Sequence, residues 1–172
     1  IVDFDLIEAC AETGKPLIIS TGMASIEEID EAVNVAKGAG ARNVLLLHCI
    51  SAYPTPIEQA NLNTINDLSL RFNASIGLSD HTNGSLAATL AVAQGAVLIE
   101  KHITLSKSNG AVDNAFSIEP KELKQLIKEN SVVLVVFTTT FIDIWPGFED
   151  AASGLSDIGL TFVQIDATKF RG

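Results

Sequence analysis

Basic residues are scarce in this chain, as are cysteine and histidine, and the scarcities close off classes of function. Only 11 Lys and Arg stand against 21 Asp and Glu, a net charge of −10. Binding a phosphate backbone needs clustered cations, so nucleic acid is excluded as a partner. A small anion is not excluded, because a few local donors can hold one. Two cysteines, Cys10 and Cys49, make a poor disulfide framework for 172 residues, and reduced thiols in a cytoplasmic setting are expected. Long apolar runs are missing too. The longest, Val132 to Phe137, is far too short to cross a bilayer, so no membrane span or signal peptide is predicted. Charged residues are only 19% against 47% hydrophobic. Most of the chain is therefore meant to be packed, with some apolar surface expected to meet partner segments.

What is present is an alternation of short apolar runs and helical patterns. Residues Asp3 to Glu12 read as the tail of a helix already under way at Ile1, ended by Gly14 and Lys15-Pro16. "LIIS" (Leu17 to Ser20) reads as a buried strand. Ser25 and Glu28 form a capping box, and Ile26, Ile29, Val33 and Ala36 mark the apolar face of the helix it opens. Gly38 and Gly40 close that helix, and "NVLLLHC" is the next strand, followed by the proline-rich "ISAYPTP". A helix over about Leu62 to Phe72 leads to the strand "SIGLSDH", and an Ala-rich helix over about Leu86 to Gln94 leads to "AVLIEKHITL". A polar loop then runs to Pro120, placed at the first turn of a helix ending near Glu129.

Strands that are apolar throughout, alternating with helices, predict an α/β fold with a parallel sheet covered on both faces. All four strands carry polar residues at their C-terminal ends: Ser20, then His48 and Ser51, then Ser79 to His81, then Glu100 and His102. An open sheet uses mainly the strands beside its switch point, whereas a barrel gathers every C-terminal end at one mouth. The expectation is a partial TIM (β/α)8 barrel. A whole barrel takes about 250 residues, and four βα units precede Glu129, so residues 1–129 are read as half of one. Residues 130–172 are read as a separate, unassigned β-rich segment, with "SVVLVVFTTTFIDIWPGF" carrying the single Trp.

Two histidines at neighbouring strand ends, with open positions left over, can hold a divalent cation. Asp80 and Glu100 are close enough in sequence to orient them, although strand alternation turns one of each neighbouring pair away. The competing reading makes His81 a turn cap and His102 a bonded core histidine, and spacing does not separate the two. Ser20, Ser51 and Ser79 with the amides around Thr21-Gly22 could cradle a phosphate or carboxylate, or be ordinary turn serines. Tyr53 either contacts a ligand or covers the rim, and Asp113 lies in a polar loop where a solvated turn is the default.

"KPLIISTGMASIEEI", "LLLHCISAYPTP", "IGLSDHTNG" and "LIEKHITL", in this order and spacing, resemble the sialic acid synthase family over about residues 1–128. Members condense phosphoenolpyruvate with an N-acetylated amino sugar to give a nine-carbon 2-keto sugar acid and phosphate. The stretch "GAVDNAFSIEPKELKQLI" looks more like the pseudaminic acid branch than the N-acetylneuraminate branch. The resemblance implies that His81 and His102 are ligands of a divalent cation, Mn2+ or Mg2+. It places Ser20, Ser51, Tyr53 and Ser79 at phosphoenolpyruvate, and Tyr53, Glu100 and Asp113 at the sugar. Glu100 is the implied contributor to proton transfer, Lys101 has no implied role, and His48 is read as structural. The implied partners are small molecules, with no nucleic acid or membrane, in a domain-swapped homodimer. The family's first half-barrel, with its phosphate-binding lysines, and its C-terminal antifreeze-like domain are outside these 172 residues. An incomplete enzyme is therefore expected, or a metal- and phosphoenolpyruvate-binding fragment without turnover.

Overall fold

The structure, a computed structural model, describes residues 1–110 and 112–129. The β-rich segment expected over 130–172 lies outside them. In chain order the elements are α1 (Phe4–Glu12), β1 (Leu17–Ser20), α2 (Ile26–Gly38), β2 (Val44–Cys49), α3 (Thr64–Phe72), β3 (Ser75–Asp80), α4 (Leu86–Ala93), β4 (Ile99–Lys101) and α5 (Pro120–Glu129). The four strands form one sheet in the order β1-β2-β3-β4, and every pairing is parallel. Crossovers in such units are right-handed. Stepping always in one direction therefore puts every connecting helix on the same face, the wall of a half-barrel rather than a doubly wound sheet.

Local chemistry explains most of the boundaries. Ser25 Oγ accepts from Glu28 N at 3.2 Å while Glu28 Oε2 accepts from Ser25 N at 2.7 Å, the predicted capping box. Pro120 occupies the first position of α5, where its missing N–H costs nothing. Asn73 ends α3 in the left-handed region, at φ 45°. Two expectations need correction. The first helix is not met midway: Asp3 caps it, its side chain accepting from Leu6 N at 3.1 Å. The fourth strand is also shorter than "AVLIEKHITL", because after Lys101 the chain leaves β3 and Ile103 instead bridges Ile118.

Pairing register sorts the side chains onto two faces. Ser20, Leu47 and Gly77 lie in one row, and Cys49, Ser79 and Glu100 in the next, on the face we call the front. Ile19, Leu46 and Ile76 form a row on the back, as do His48 with Leu78 and Ile99, and Asp80 with Lys101. The back packs under the helices: Ile19, Leu46, Ile76, Leu78 and Ile99 are buried there, as are Ala32, Ala36, Leu68 and Ala91 of α2, α3 and α4. The front is close-packed at its middle. A Cβ on Gly77 would stand 2.5 Å from both the Leu98 carbonyl oxygen and Leu47 Cδ2, so no larger residue fits. Towards β1 the front is not covered as expected: Ile18 is 39% exposed and Ser20 is exposed. Among the described residues no helix is long and apolar enough to cross a membrane.

Candidate functional site

The C-terminal ends of β2, β3 and β4 bring three predicted segments together. Continuing the alternation past β3 and β4 puts His81 on the same side as Ser79, and His102 on the same side as Glu100. Their ring centroids are 5.4 Å apart at an interplanar angle of 65°. Tyr53 lies over His81 at 4.2 Å and within 6.3 Å of His102. The Tyr53–Pro54 peptide bond is cis. This loop is tied to the site by Thr55, whose N–H donates to the His81 carbonyl at 2.9 Å. Phe116 closes the ring cluster, 5.0 Å from His102 and 5.7 Å from Tyr53.

The hydrogen bonds settle which nitrogen does what. His81 Nδ1 is 3.0 Å from the Ile50 carbonyl oxygen, which can only accept, so Nδ1 carries a proton and, in the neutral ring, the lone pair is on Nε2. His102 Nδ1 faces Asp113 Oδ2 at 3.5 Å. Burial, and next the neighbouring His81, hold His102 below the usual histidine range, against the pull of Asp113 and Glu100. The neutral imidazole is thereby favoured, the form that can donate a lone pair to a metal.

Two imidazoles on adjacent positions of one ion, each with its nitrogen about 2.1 Å from the metal, have ring centres about 4.5–5.5 Å apart, the lower end for octahedral and the upper for tetrahedral coordination. The observed separation of 5.4 Å is within that reach. Among the described residues no group of three or more His, Cys, Asp or Glu converges as a metal cage. Two imidazoles could serve as protein donors of an open centre only, one that leaves positions for other ligands.

Beside the imidazoles, Ser79 Oγ donates to Glu100 Oε1 at 2.6 Å, so these two predicted residues act as one unit. Cys49, which the sequence reading passed over, is buried next to them. Desolvation pushes its thiol up, opposed by the Ser51 and Ser79 hydroxyls and the Gly22 backbone beside it. A thiol kept protonated in this way is no nucleophile. Ser51 and Tyr53 are exposed at the rim. Ser20 is on the same face but in a row with Leu47, one step below the Cys49 row. Asp113 is brought to His102 rather than left in a solvated turn, because Ile118 N–H donates to the His102 carbonyl and Ser117 N–H to the Asp113 carbonyl. Those two bonds fold the polar loop back onto β4.

Two of the candidate groups point elsewhere. Asp80 is on the back face, so it cannot orient the imidazoles from the mouth. His48 is on the back too, its Nε2 donating to the Ala60 carbonyl at 2.8 Å, a structural histidine as expected. Phe116 was the residue hardest to foresee. It sits in a loop without periodicity, and its nearest signal is the apolar "AFSI" that follows Asn114.

Known proteins resemble this chain along most of its length. It is 44% identical over 128 residues to the pseudaminic acid synthase of Helicobacter pylori, a match covering 74% of this chain and 38% of that one. It is 43% identical over 128 residues to the N,N'-diacetyllegionaminic acid synthase of Campylobacter jejuni, covering 73% and 38%. The chain thus spans about two fifths of the length of these curated relatives. Among solved structures, the N-acetylneuraminic acid synthetase of Leptospira borgpetersenii, in complex with citrate, superposes with a TM-score of 0.70 at 33% identity. That superposition covers 97% of this chain and 51% of the other. The NeuB family model matches residues 1–138, ten beyond the expected limit of the resemblance, and on that match the chain belongs to the NeuB family.

Proposed function

We propose that this chain carries the cation- and phosphoenolpyruvate-binding part of a synthase joining phosphoenolpyruvate to an N-acetylated amino sugar. The product is a nine-carbon 2-keto sugar acid, with release of phosphate. The observation that carries the reading is the pair of imidazoles at adjacent strand ends, 5.4 Å apart, with the Ser79–Glu100 unit on the same face. His81 and His102 hold a divalent cation, Mn2+ or Mg2+, which when bound polarises the sugar aldehyde as a Lewis acid.

C3 of phosphoenolpyruvate forms the new bond to the aldehyde carbon, water adds at C2, and the C2–O bond to phosphate breaks. Ser20 and Ser51 supply hydroxyl donors for the phosphate and carboxylate, and Ser79 joins them when its single O–H turns from Glu100 to the ligand. Glu100, its Oε1 already engaged by Ser79, takes or returns a proton at the sugar end. Tyr53 and Asp113 flank the imidazoles from opposite chain segments and contact the sugar there. The favoured sugar is a 6-deoxy-diacetamido hexose, on the strength of "GAVDNAFSIEPKELKQLI". The near-equal identities to a pseudaminic and an N,N'-diacetyllegionaminic acid synthase leave the stereochemistry of that hexose to experiment.

The test is phosphate release from phosphoenolpyruvate by the full chain with Mn2+ and each sugar in turn. Release with the 6-deoxy-diacetamido hexose, abolished in His81→Ala and His102→Ala together with Mn2+ binding, is the expected result. Release with N-acetylmannosamine instead moves the assignment to the neuraminate branch. Binding of Mn2+ and phosphoenolpyruvate without turnover makes this chain a binding fragment of the synthase.

A further inference from the structure

Lys101 and Asp80 are among the largest fully buried side chains of the described residues, and neither reaches the mouth. Lys101 Nζ donates to Asp80 Oδ2 at 2.8 Å, with both side chains 1% exposed. The pair stands on the back of the sheet at the last paired position of β3 and β4, Asp80 opposite Lys101. The next residue on each strand is one of the two imidazoles.

We propose that Asp80 and Lys101 are positioning residues, whose buried ion pair clamps the ends of β3 and β4 so that His81 and His102 are held at one separation and orientation. The bonds around His81 give the clamp its grip. Asp80 Oδ1 accepts from the Thr82 N–H at 2.8 Å, and Lys101 Nζ donates a second time, to the Thr82 carbonyl, at 2.7 Å. Both backbone groups of Thr82 are thus bound to the pair, and the His81 carbonyl is bound by Thr55 N–H. His81 is therefore fixed through the residue before it and the residue after it. The Lys101 end of the same pair fixes the residue before His102.

Stability alone does not call for this arrangement. A buried ion pair is often no better than an apolar pair of the same volume, and its best-attested use is to specify geometry. Here it sits where geometry matters, one residue from each ring. Residues that orient metal-binding side chains from outside typically change affinity by about 10- to 100-fold when replaced. The inference rests on His81 and His102 being the working pair, and the ring measurements below test it without any cation.

The experiment compares the full chain, Lys101→Met and the double variant Asp80→Asn/Lys101→Met, each checked for fold by circular dichroism. Long-range 1H–15N spectra read the tautomer of each imidazole, ring-to-ring Overhauser contacts read their separation, and titration with Mn2+ alone reads affinity. The unsubstituted chain should show His81 protonated at Nδ1 and a contact to His102. Lys101→Met should lose that contact, average the His81 tautomers and bind Mn2+ at least about 10-fold more weakly. If Lys101→Met does not fold, the double variant, which leaves no lone buried charge, carries the test. A folded variant with unchanged ring spectra and unchanged ring contact overturns the proposal. Loss of ring order in the variants, with no Mn2+ binding even by the unsubstituted chain, upholds the clamp and overturns the cation reading instead.

Discussion

The front and back of the sheet at the ends of β3 and β4 use neighbouring residues for opposite purposes. On the front, Ser79 and Glu100 meet in one hydrogen bond, and His81 and His102 meet Tyr53, which is 57% exposed. On the back, one residue away, Asp80 and Lys101 are sealed from water and bonded to each other and to the Thr82 backbone. A strand makes this separation automatically, because consecutive side chains leave opposite faces. The rim can then present polar groups to a ligand while the groups that steady it stay out of solvent. The contrast implies that back-face substitutions act first on folding and front-face ones first on binding.

The largest effect should come from breaking the buried pair on one side only. Asp80→Ala strands a lysine ammonium in the interior, and Lys101→Met strands a carboxylate. Either should cost about 3–5 kcal/mol, read as a lower urea midpoint at unchanged slope. Asp80→Asn/Lys101→Met, with no net charge left behind, should cost less than the two single losses added together. A single substitution costing under about 1 kcal/mol would erase the distinction between the faces, since surface pairs are worth that little.

A smaller effect is expected on the front. Ser79→Ala removes the 2.6 Å bond to Glu100 Oε1, but Glu100 is only partly buried and can turn to water. The loss should be about 1 kcal/mol in the same urea experiment. Binding of phosphoenolpyruvate should fall at the same time, measured by calorimetry on the folded variant. A Ser79→Ala cost as large as that of Asp80→Ala would mean that the mouth is also a pillar of the fold.

The sequence exposed the elements and the mouth better than the support behind it. Strand positions followed from apolar runs, and helix starts from Ser25-Glu28 and Pro120, because these signals are local. That His81 and His102 stand at neighbouring strand ends was also readable, but spacing left open whether their rings face one another. The partner of Lys101 was not readable. Periodicity says that Asp80 and Lys101 leave the face used by their neighbours, but only the register Asp80↔Lys101 makes them a pair, and register between strands 21 residues apart is a tertiary fact. For a related reason Asp113 was reached only through the family resemblance and Phe116 not at all. Their loop is pinned to His102 by backbone bonds from Ile118 and Ser117, which leave no trace in composition.

The smallest and most specific test concerns His48, on the back face. Its ring is buried and its Nε2–H donates to the Ala60 carbonyl. Desolvation, the larger influence, holds its pKa below the ordinary 6.5 despite that bond. The unfolded chain therefore takes up a proton near pH 6.5 that the folded chain resists. This contribution to stability is complete above 6.5 and is lost as pH falls towards the depressed folded value. His48→Gln keeps an amide donor for Ala60 but cannot titrate. Urea midpoints of the two proteins between pH 8 and pH 5, about 1.5 units either side of the ordinary value, should run parallel above 6.5, and below it the midpoint of the unsubstituted protein should fall relative to that of the variant. Subtracting the variant removes the share of His102, whose lowered pKa acts in both proteins. Curves that stay parallel down to pH 5 would mean that burial does not hold His48 below its ordinary value, and of the back-face groups only the ion pair would then set that face apart.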